Sequence, residues 1–498
     1  MTFMSSKTEG RSVRTAAPGV VVLSSSLLTD RMLLFTRFLD ELSQGTCATV
    51  WATTAREERF RDLWDSASAI VEPFPAVRPF REFPHNYLRR FNEYVWDFRQ
   101  RPPSRLSMMR HVRKRTRARH VRALELPARV LARLRLERPL EDWLERLMLA
   151  YPRSPEALSR LKTLQPAALV TTGPFRYDEP AIVAVAKNLR IPTLALITSW
   201  DNLSTKARMV LKYDGYLLWS EQMRRELLHF YPDSARVPSY VVGAPQFDAF
   251  FQRRFQRSRE EFCASQGLEP QRPLIVYALG SPNFLREHHG AAYLAERVAR
   301  GDLGNAQLLI RPHPVFDNGN EAEALRGISP QVIVQRTGAA GAALTERSQD
   351  EFQITEWVNT FRHADVVVNL SSTVVIDAAI FDRPVVNLNY DPEPGRPNQA
   401  LVKDANHRWT HFKPVAESGG VWLVNEPDEM VEAVKGYLQH PELHRAQRRW
   451  IVEYVCGRLD GSSGERMAAA VLNFIQGTGG SSDVASMPSA LASTVGAD

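Results

Sequence analysis

Asp365-Val366-Val367-Val368-Asn369-Leu370, followed by Ser371-Ser372-Thr373 and the helical run Val374–Phe381, reads as strand, turn and helix in direct succession. A run that is apolar on both faces belongs in a parallel sheet covered on both sides. The same reading extends outward along the chain. Strands are expected at Val20–Leu23, Ala48–Ala52, Ser68–Val71, Ala168–Thr172, Thr193–Thr198 and Gly215–Trp219. A second set is expected at Leu274–Ala278, Gln307–Ile310, Val332–Gln335, Val366–Leu370, Val385–Leu388 and Val421–Val424. Helical patterns separate them, so the chain reads as α/β with two doubly wound, Rossmann-like domains. The first is expected over residues 18–240 and the second over 241–476, with the switch near Tyr240–Phe250. Residues 1–17 read as a disordered lead, and the Gly/Ser/Ala-rich residues 477–498 as a flexible tail. Residues 80–160 break the alternation. They read as helical and basic, with ten Arg or Lys and no acid from Phe98 to Ala123, and are expected to be a helical insertion in the first domain.

Composition bounds the answer. The 498 residues are 44% hydrophobic and 24% charged and include 10 Trp and 23 Phe, which excludes a solvating, disordered polymer. Sixty-three basic residues against 56 acidic ones leave a net charge of +7, which favours an anionic partner such as a phosphate ester, a membrane surface or a nucleic acid. Cys47, Cys263 and Cys456 are odd in number and scattered, and fit neither a disulfide framework nor a zinc knuckle. No apolar run is long enough to span a bilayer, and Val20–Leu23 is too short for a signal-peptide core. The expectation is a soluble cytoplasmic protein whose membrane attachment, if any, is peripheral.

In open parallel sheets ligands bind beyond the carboxyl ends of the strands. After Gln307–Ile310 comes Arg311-Pro312-His313-Pro314, where two prolines stiffen a loop that presents a guanidinium and an imidazole. Both groups suit a diphosphate; a rigid turn with a surface histidine is the plainer alternative. Ser371, Ser372 and Thr373 supply hydroxyls and a helix start, and Asp377 lies about one turn into that helix. An ordinary capped helix reads the same way. Leu279-Gly280-Ser281 forms a further turn after the first strand of the second domain.

The pairing of strand–RPHP with strand–SST–helix–Asp about 60 residues later resembles the nucleotide-binding half of GT-B glycosyltransferases. It is most similar to the bacterial surface-polymer branch, which includes capsule glycosyltransferases and CDP-glycerol glycerophosphotransferases. The resemblance implies that Arg311 and His313 contact the donor diphosphate, that Ser371, Ser372 and Thr373 bind phosphate, that Asp377 holds the ribose, and that Gly280 and Ser281 form a donor-side turn. Two features depart from the pattern. Ser24-Ser25-Ser26-Leu27 stands where some GT-B enzymes carry a Gly-Gly-x-x-Gly-His loop, and no Asp-x-Asp triplet occurs. Thr193–Lys206 runs a strand directly into Ser199-Trp200-Asp201-Asn202 and resembles a motif of uncharacterised bacterial members of the superfamily.

Asp201 is the first candidate base and Asp178 the second. Trp200 is expected to stack on a sugar, and Asn202 and Lys206 to bind substrate. The bland alternatives are a capped turn and a core tryptophan. Gly457–Arg466 is similar to a segment that closes many of these transferases, with Ser462 or Ser463 capping a last helix that crosses back to the first domain. The sequence thus predicts a metal-independent transferase with no cofactor beyond its nucleotide-activated donor substrate. It would move a sugar or polyol phosphate to a glycan or polyprenyl-phosphate-linked acceptor. The basic stretch 99–122 is expected either to be solvated or to touch anionic lipid at the inner membrane face; specific nucleic-acid binding is not expected. The alternatives are a nucleotide-sugar epimerase on the same fold and a non-catalytic membrane- or RNA-docking protein.

Overall fold

The computed structural model describes residues 19–78, 85–115, 119–151, 154–176, 178–206, 208–280, 285–313, 324–335 and 350–478. The first sheet holds β1 (Val20–Ser24), β2 (Ala48–Ala52), β3 (Ile70–Pro73), β4 (Ala168–Thr171), β5 (Thr193–Leu196), β6 (Gly215–Leu218) and β7 (Ser239–Val241), in the order β3-β2-β1-β4-β5-β6-β7. The second holds β8 (Leu274–Ala278), β9 (Gln307–Arg311), β10 (Val332–Val334), β11 (Val366–Asn369), β12 (Val385–Leu388) and β13 (Trp422–Val424), in the order β10-β9-β8-β11-β12-β13. Every pairing is parallel, as in Val366 opposite Ile275 and Val385 opposite Val367. In both sheets the strand order reverses at the first strand, so each has a crevice beyond its carboxyl edge.

β-branched runs such as Val20-Val21-Val22 and Val366-Val367-Val368 are buried on both faces, which is why they read as continuous apolar segments. Two edges differ from expectation. β3 starts two residues later than expected and ends on Pro73; an edge strand tolerates proline because one of its sides needs no ladder donor. β7 was not expected. Its three residues are only half-buried and follow Pro238, so pairing with β6 rather than local propensity makes it a strand.

Between β3 and β4 lie the helices His85–Gln100, Pro103–Arg115, Arg119–Arg133, Glu137–Ala150 and Pro155–Leu164. Several basic residues there are paired rather than solvated: Arg105 makes two bonds to the buried Asp97 (3.1 and 2.8 Å), Arg99 meets Glu137 at 2.9 Å and Arg110 meets Asp404 at 2.7 Å. Helix Pro103–Arg115 spans the two lobes. Ser104 Oγ bonds the Ser204 carbonyl on one side, and Ser107 Oγ donates to Asp404 at 2.7 Å on the other.

The last helix, Ser463–Thr478, takes in the first two residues of the expected tail. Residues 1–17 and the rest of the tail lie outside the described residues. This helix returns to the first lobe, where Leu472 faces Gly45 of helix Phe38–Gly45 and Phe474 faces Gly215 at the head of β6. Its cap is Asp248, which accepts from the Ser463 and Gly464 amides at 3.1 and 2.7 Å, rather than Ser462 or Ser463. Arg466 holds the turn by donating to the Val242 and Arg458 carbonyls and to Asp460. Phe474→Ala is expected to destabilise the protein by about 3–5 kcal/mol in urea unfolding, because the ring fills the space that Gly215 leaves.

Candidate functional site

β11 ends at Asn369, and the chain turns sharply at Ser371, whose φ of 43° places a non-glycine residue in the left-handed region. A buried asparagine lattice supports that turn. Asn387 Oδ1 accepts from the Ser371 amide at 2.7 Å, and Asn406 Oδ1 accepts from Ser371 Oγ (2.9 Å) and Asn387 Nδ2 (2.8 Å). Asn406 Nδ2 donates to the Leu388 carbonyl at 3.1 Å. Ser372 Oγ accepts from the Val374 amide at 3.2 Å, and Thr373 begins the next helix without a side-chain capping bond. The lattice has a local sequence signal: the paired strands β11 and β12 both carry Val-Val-Asn, and Asn369 sits opposite Asn387.

On the first lobe, β5 runs into Ser199-Trp200-Asp201 and the short helix Asn202–Thr205. Ser199 Oγ donates to Asp201 Oδ1 at 2.5 Å and Thr205 Oγ1 to Asp201 Oδ2 at 2.9 Å. Burial alone would raise the Asp201 pKa. Lys206, these two hydroxyls and, at low pH, the charged form of His411 outweigh it and hold the carboxyl below its ordinary range, so it is ionised at neutral pH. Burial pushes His411 down to about 4, with Asp201 offsetting only part of the effect, so this imidazole is neutral.

The two strand-end clusters meet. One cavity of about 420 Å³ is lined from the first lobe by Trp200, Asp201, Thr205 and Lys206, and from the second by Gly280, Glu287, His313, Ser371, Ser372, Thr373 and His411. Ser104 and Met108 of the spanning helix close one side, and Trp409 and Phe412 add apolar wall. Trp200 is 1% exposed, with its ring 5.0 Å from His411 and 6.3 Å from Phe412 across the lobe junction. The tryptophan therefore packs as part of the junction core as well as bordering the cavity.

Other candidates stand away from the lining. Asn202 is buried and donates to Thr198 Oγ1 at 3.2 Å. Asp178 precedes helix Glu179–Asn188 without capping it. Its neighbour Glu179 is the committed carboxylate, accepting from Ser25, Thr171 Oγ1 (2.5 Å) and the amides of Thr172 (2.8 Å) and Gly173 (2.7 Å). The serines at the end of β1 and just beyond are likewise used internally, Ser24 by Asp30 and Ser26 at the next helix start. Arg311 turns into the lobe, donating to Gln335 Oε1 at 2.7 Å. Asp377 is buried beside Trp357, Arg31 and Arg311; burial raises its pKa to about 7, and those three neighbours hold it from rising further. Arg31 comes from the first lobe and lies 4.2 Å over the Trp357 ring. Ser281 lies outside the described residues.

Sequence reasoning missed Glu287 and His411. Glu287 sits next to two histidines at an unremarkable helix start, and His411 lies in a connecting segment; only the fold brings either to the cavity. Among the described residues no group of three or more His, Cys, Asp or Glu gathers as a metal site.

No protein-family model matches the chain, and no curated protein matches it by sequence. Solved structures match it in fold. A Listeria monocytogenes putative UDP-N-acetylglucosamine 2-epimerase aligns with TM-score 0.54 and 13% identity over 93% of this chain and 97% of that one. S. aureus MnaA, solved with UDP, gives TM-score 0.53 and 10% identity over 92% and 97%. A Neisseria meningitidis UDP-GlcNAc 2-epimerase bound to UDP-GlcNAc gives TM-score 0.50 and 11% identity over 91% and 100%. At these identities the likeness is one of architecture: two facing parallel sheets of GT-B type.

The influence of the Arg31 charge on the buried Asp377 makes a pH-dependent prediction. Asp377 is mostly protonated below pH 7 and ionised above it. Arg31→Met is therefore expected to cost about 1 kcal/mol more at pH 8 than at pH 6, because the wild-type carboxyl ionises over that range while the variant's, left with Arg311 alone, stays protonated. Urea unfolding at the two pH values measures the difference.

Proposed function

We propose that this chain is a nucleotide-sugar-dependent enzyme that transfers a sugar or polyol phosphate to a hydroxyl of a cell-surface glycan or lipid-linked acceptor. The observation that carries the reading is the convergence of Asp201 and Lys206 from one lobe with His313 and Ser371–Thr373 from the other on a single cavity. His313 and the hydroxyls hold the donor diphosphate, and Lys206 faces the same charge. These groups stabilise the departing phosphate by preorganised electrostatics, so the reading requires no metal. Asp201, held ionised, accepts a hydrogen bond from the acceptor hydroxyl and takes its proton as the new bond forms. Arg311 and Asp377 position the strand end and the lobe junction without touching the donor.

A second reading, nucleotide-sugar epimerisation, draws support from the UDP-GlcNAc 2-epimerases among the similar folds and from Glu287, a second carboxyl residue lining the cavity with Asp201. Incubation with a nucleotide sugar alone separates the two: isomerised sugar favours epimerisation, and turnover only with added acceptor favours transfer. A thermal-shift panel of UDP, GDP, CDP and CMP is expected to give stabilisation by one base series, about 2.7 kcal/mol at 100 times Kd. His313→Ala is expected to weaken that ligand by about 10- to 100-fold while the fold survives.

We further place the enzyme in the cytoplasm, at the inner membrane face. No helix among the described residues is long and apolar enough to cross a membrane. Helix Arg119–Arg133 instead turns an apolar stripe outward, with Leu126 71%, Val130 47% and, just past its end, Leu134 61% exposed. The exposed Arg129, Arg133 and Arg135 flank the stripe. Such a helix lies flat on an anionic bilayer, with apolar burial and basic charge adding. Replacing Leu126, Val130 and Leu134 together by Ser is expected to reduce co-flotation with phosphatidylglycerol vesicles by about tenfold or more, while activity on a soluble acceptor persists.

A further inference from the structure

The cavity contains a carboxyl that the transfer chemistry above does not use. Glu287 stands immediately before helix His288–Ala299 and is 5% exposed. One side of its carboxyl lies against Gly280, whose amide donates to it. A Cβ at position 280 would collide with Oε1, so Gly280 is the residue that lets the carboxyl sit there. The other oxygen, Oε2, is buried and meets no hydrogen-bonding partner among the described residues. A buried polar atom without a partner, in the wall of a cavity also lined by His313 and Ser371–Thr373, marks a position where a ligand completes the hydrogen bonding.

We propose that Glu287 is a donor-binding residue, presenting a carboxyl proton to a phosphate oxygen of a nucleoside-diphosphate ester held in this cavity. The proposal rests on the reading of the cavity as a nucleotide-sugar site and deepens it. Only the protonated carboxyl can serve, because an ionised one would repel the phosphates. The surroundings keep it protonated: burial raises its pKa to about 8, with the Gly280 amide as the one opposing influence. Asp201 of the facing lobe is held ionised, so the cavity carries two carboxyls in opposite protonation states.

The other titratable and charged groups around Glu287 are these. Tyr277 of β8 lies behind it, near enough for its hydroxyl to feel the carboxylate, and Tyr390 lies beyond Tyr277. Arg286 pairs with Glu393 at 3.6 Å, and His288 and His289 follow on the helix. Further along that helix, Tyr293 and Arg297 are engaged with Asp428. Across the cavity stand His313, Lys206, His411 and Asp201.

The test uses the full chain and measures Kd by calorimetry from about pH 6.5 to 9. The probe is whichever of UDP-GlcNAc, a GDP-sugar, a CDP-sugar or CDP-glycerol binds most tightly, since the diphosphate diester itself does not titrate in that range. For the wild type, Kd is expected to be flat to about pH 8 and then to rise by up to tenfold per pH unit. Glu287→Gln keeps a neutral donor toward the phosphate and an acceptor toward Gly280. It is expected to bind within about threefold of wild type at pH 7 and to lose the alkaline limb. Glu287→Ala is expected to bind about tenfold more weakly at pH 7. A flat wild-type profile, or a limb that persists in Glu287→Gln, overturns the proposal while leaving the nucleotide site standing. Failure of the wild type to bind any probe overturns the nucleotide-site reading and this proposal with it.

Discussion

At the junction of the two sheets one buried cation crosses from lobe to lobe. Arg31, from the helix after β1, reaches across the lobe junction to lie over Trp357 and beside Asp377, which Arg311 supports from its own lobe. Burying a guanidinium is costly, and the Trp357 face and Gln246 Oε1 at 3.2 Å offset that cost only in this lobe orientation. A rotation of one lobe would expose or separate these groups and at the same time move Asp201 away from His313. Trp200 packed on His411 and Phe412 adds an apolar part to the same junction, and the helix Ser463–Thr478 ties the last segment of the chain to the first lobe.

Behind the cavity, polar side chains are used to shape backbone. The Asn387–Asn406 lattice holds Ser371 in a left-handed turn that a serine would not adopt unaided. Glu179 does comparable work on the first lobe, gathering the Thr172 and Gly173 amides. Both networks spend buried polar groups on rigid strand ends, which leaves the hydroxyls and the imidazole of the cavity wall in fixed places. The protonation states follow from the same architecture. Asp201 is surrounded by donors and a nearby cation and stays ionised, while Glu287 has a single amide donor and stays protonated.

The α/β class, the two parallel sheets and the strand ends of β5, β9 and β11 that border the cavity were legible in the sequence. Each depends on short-range pattern: β-branched runs apolar on both faces, turn residues at the strand ends, and helical stretches between. Asp201, Lys206, His313 and Ser371–Thr373 follow directly from being the residues next to those strand ends. What tertiary structure alone decided is where neighbouring side chains point and what meets them. Arg311 and His313 are two residues apart, yet one turns to Gln335 inside the lobe and the other to the cavity. Asp377 reads as a ribose ligand from its place one turn into a helix, but its partner Arg31 is more than 300 residues away in sequence. Glu287 and His411 carry no local signal at all. Their place at the cavity comes from long-range packing, and a carboxyl's protonation state is set by the water it loses and the donors it gains, which exist only once the chain has folded.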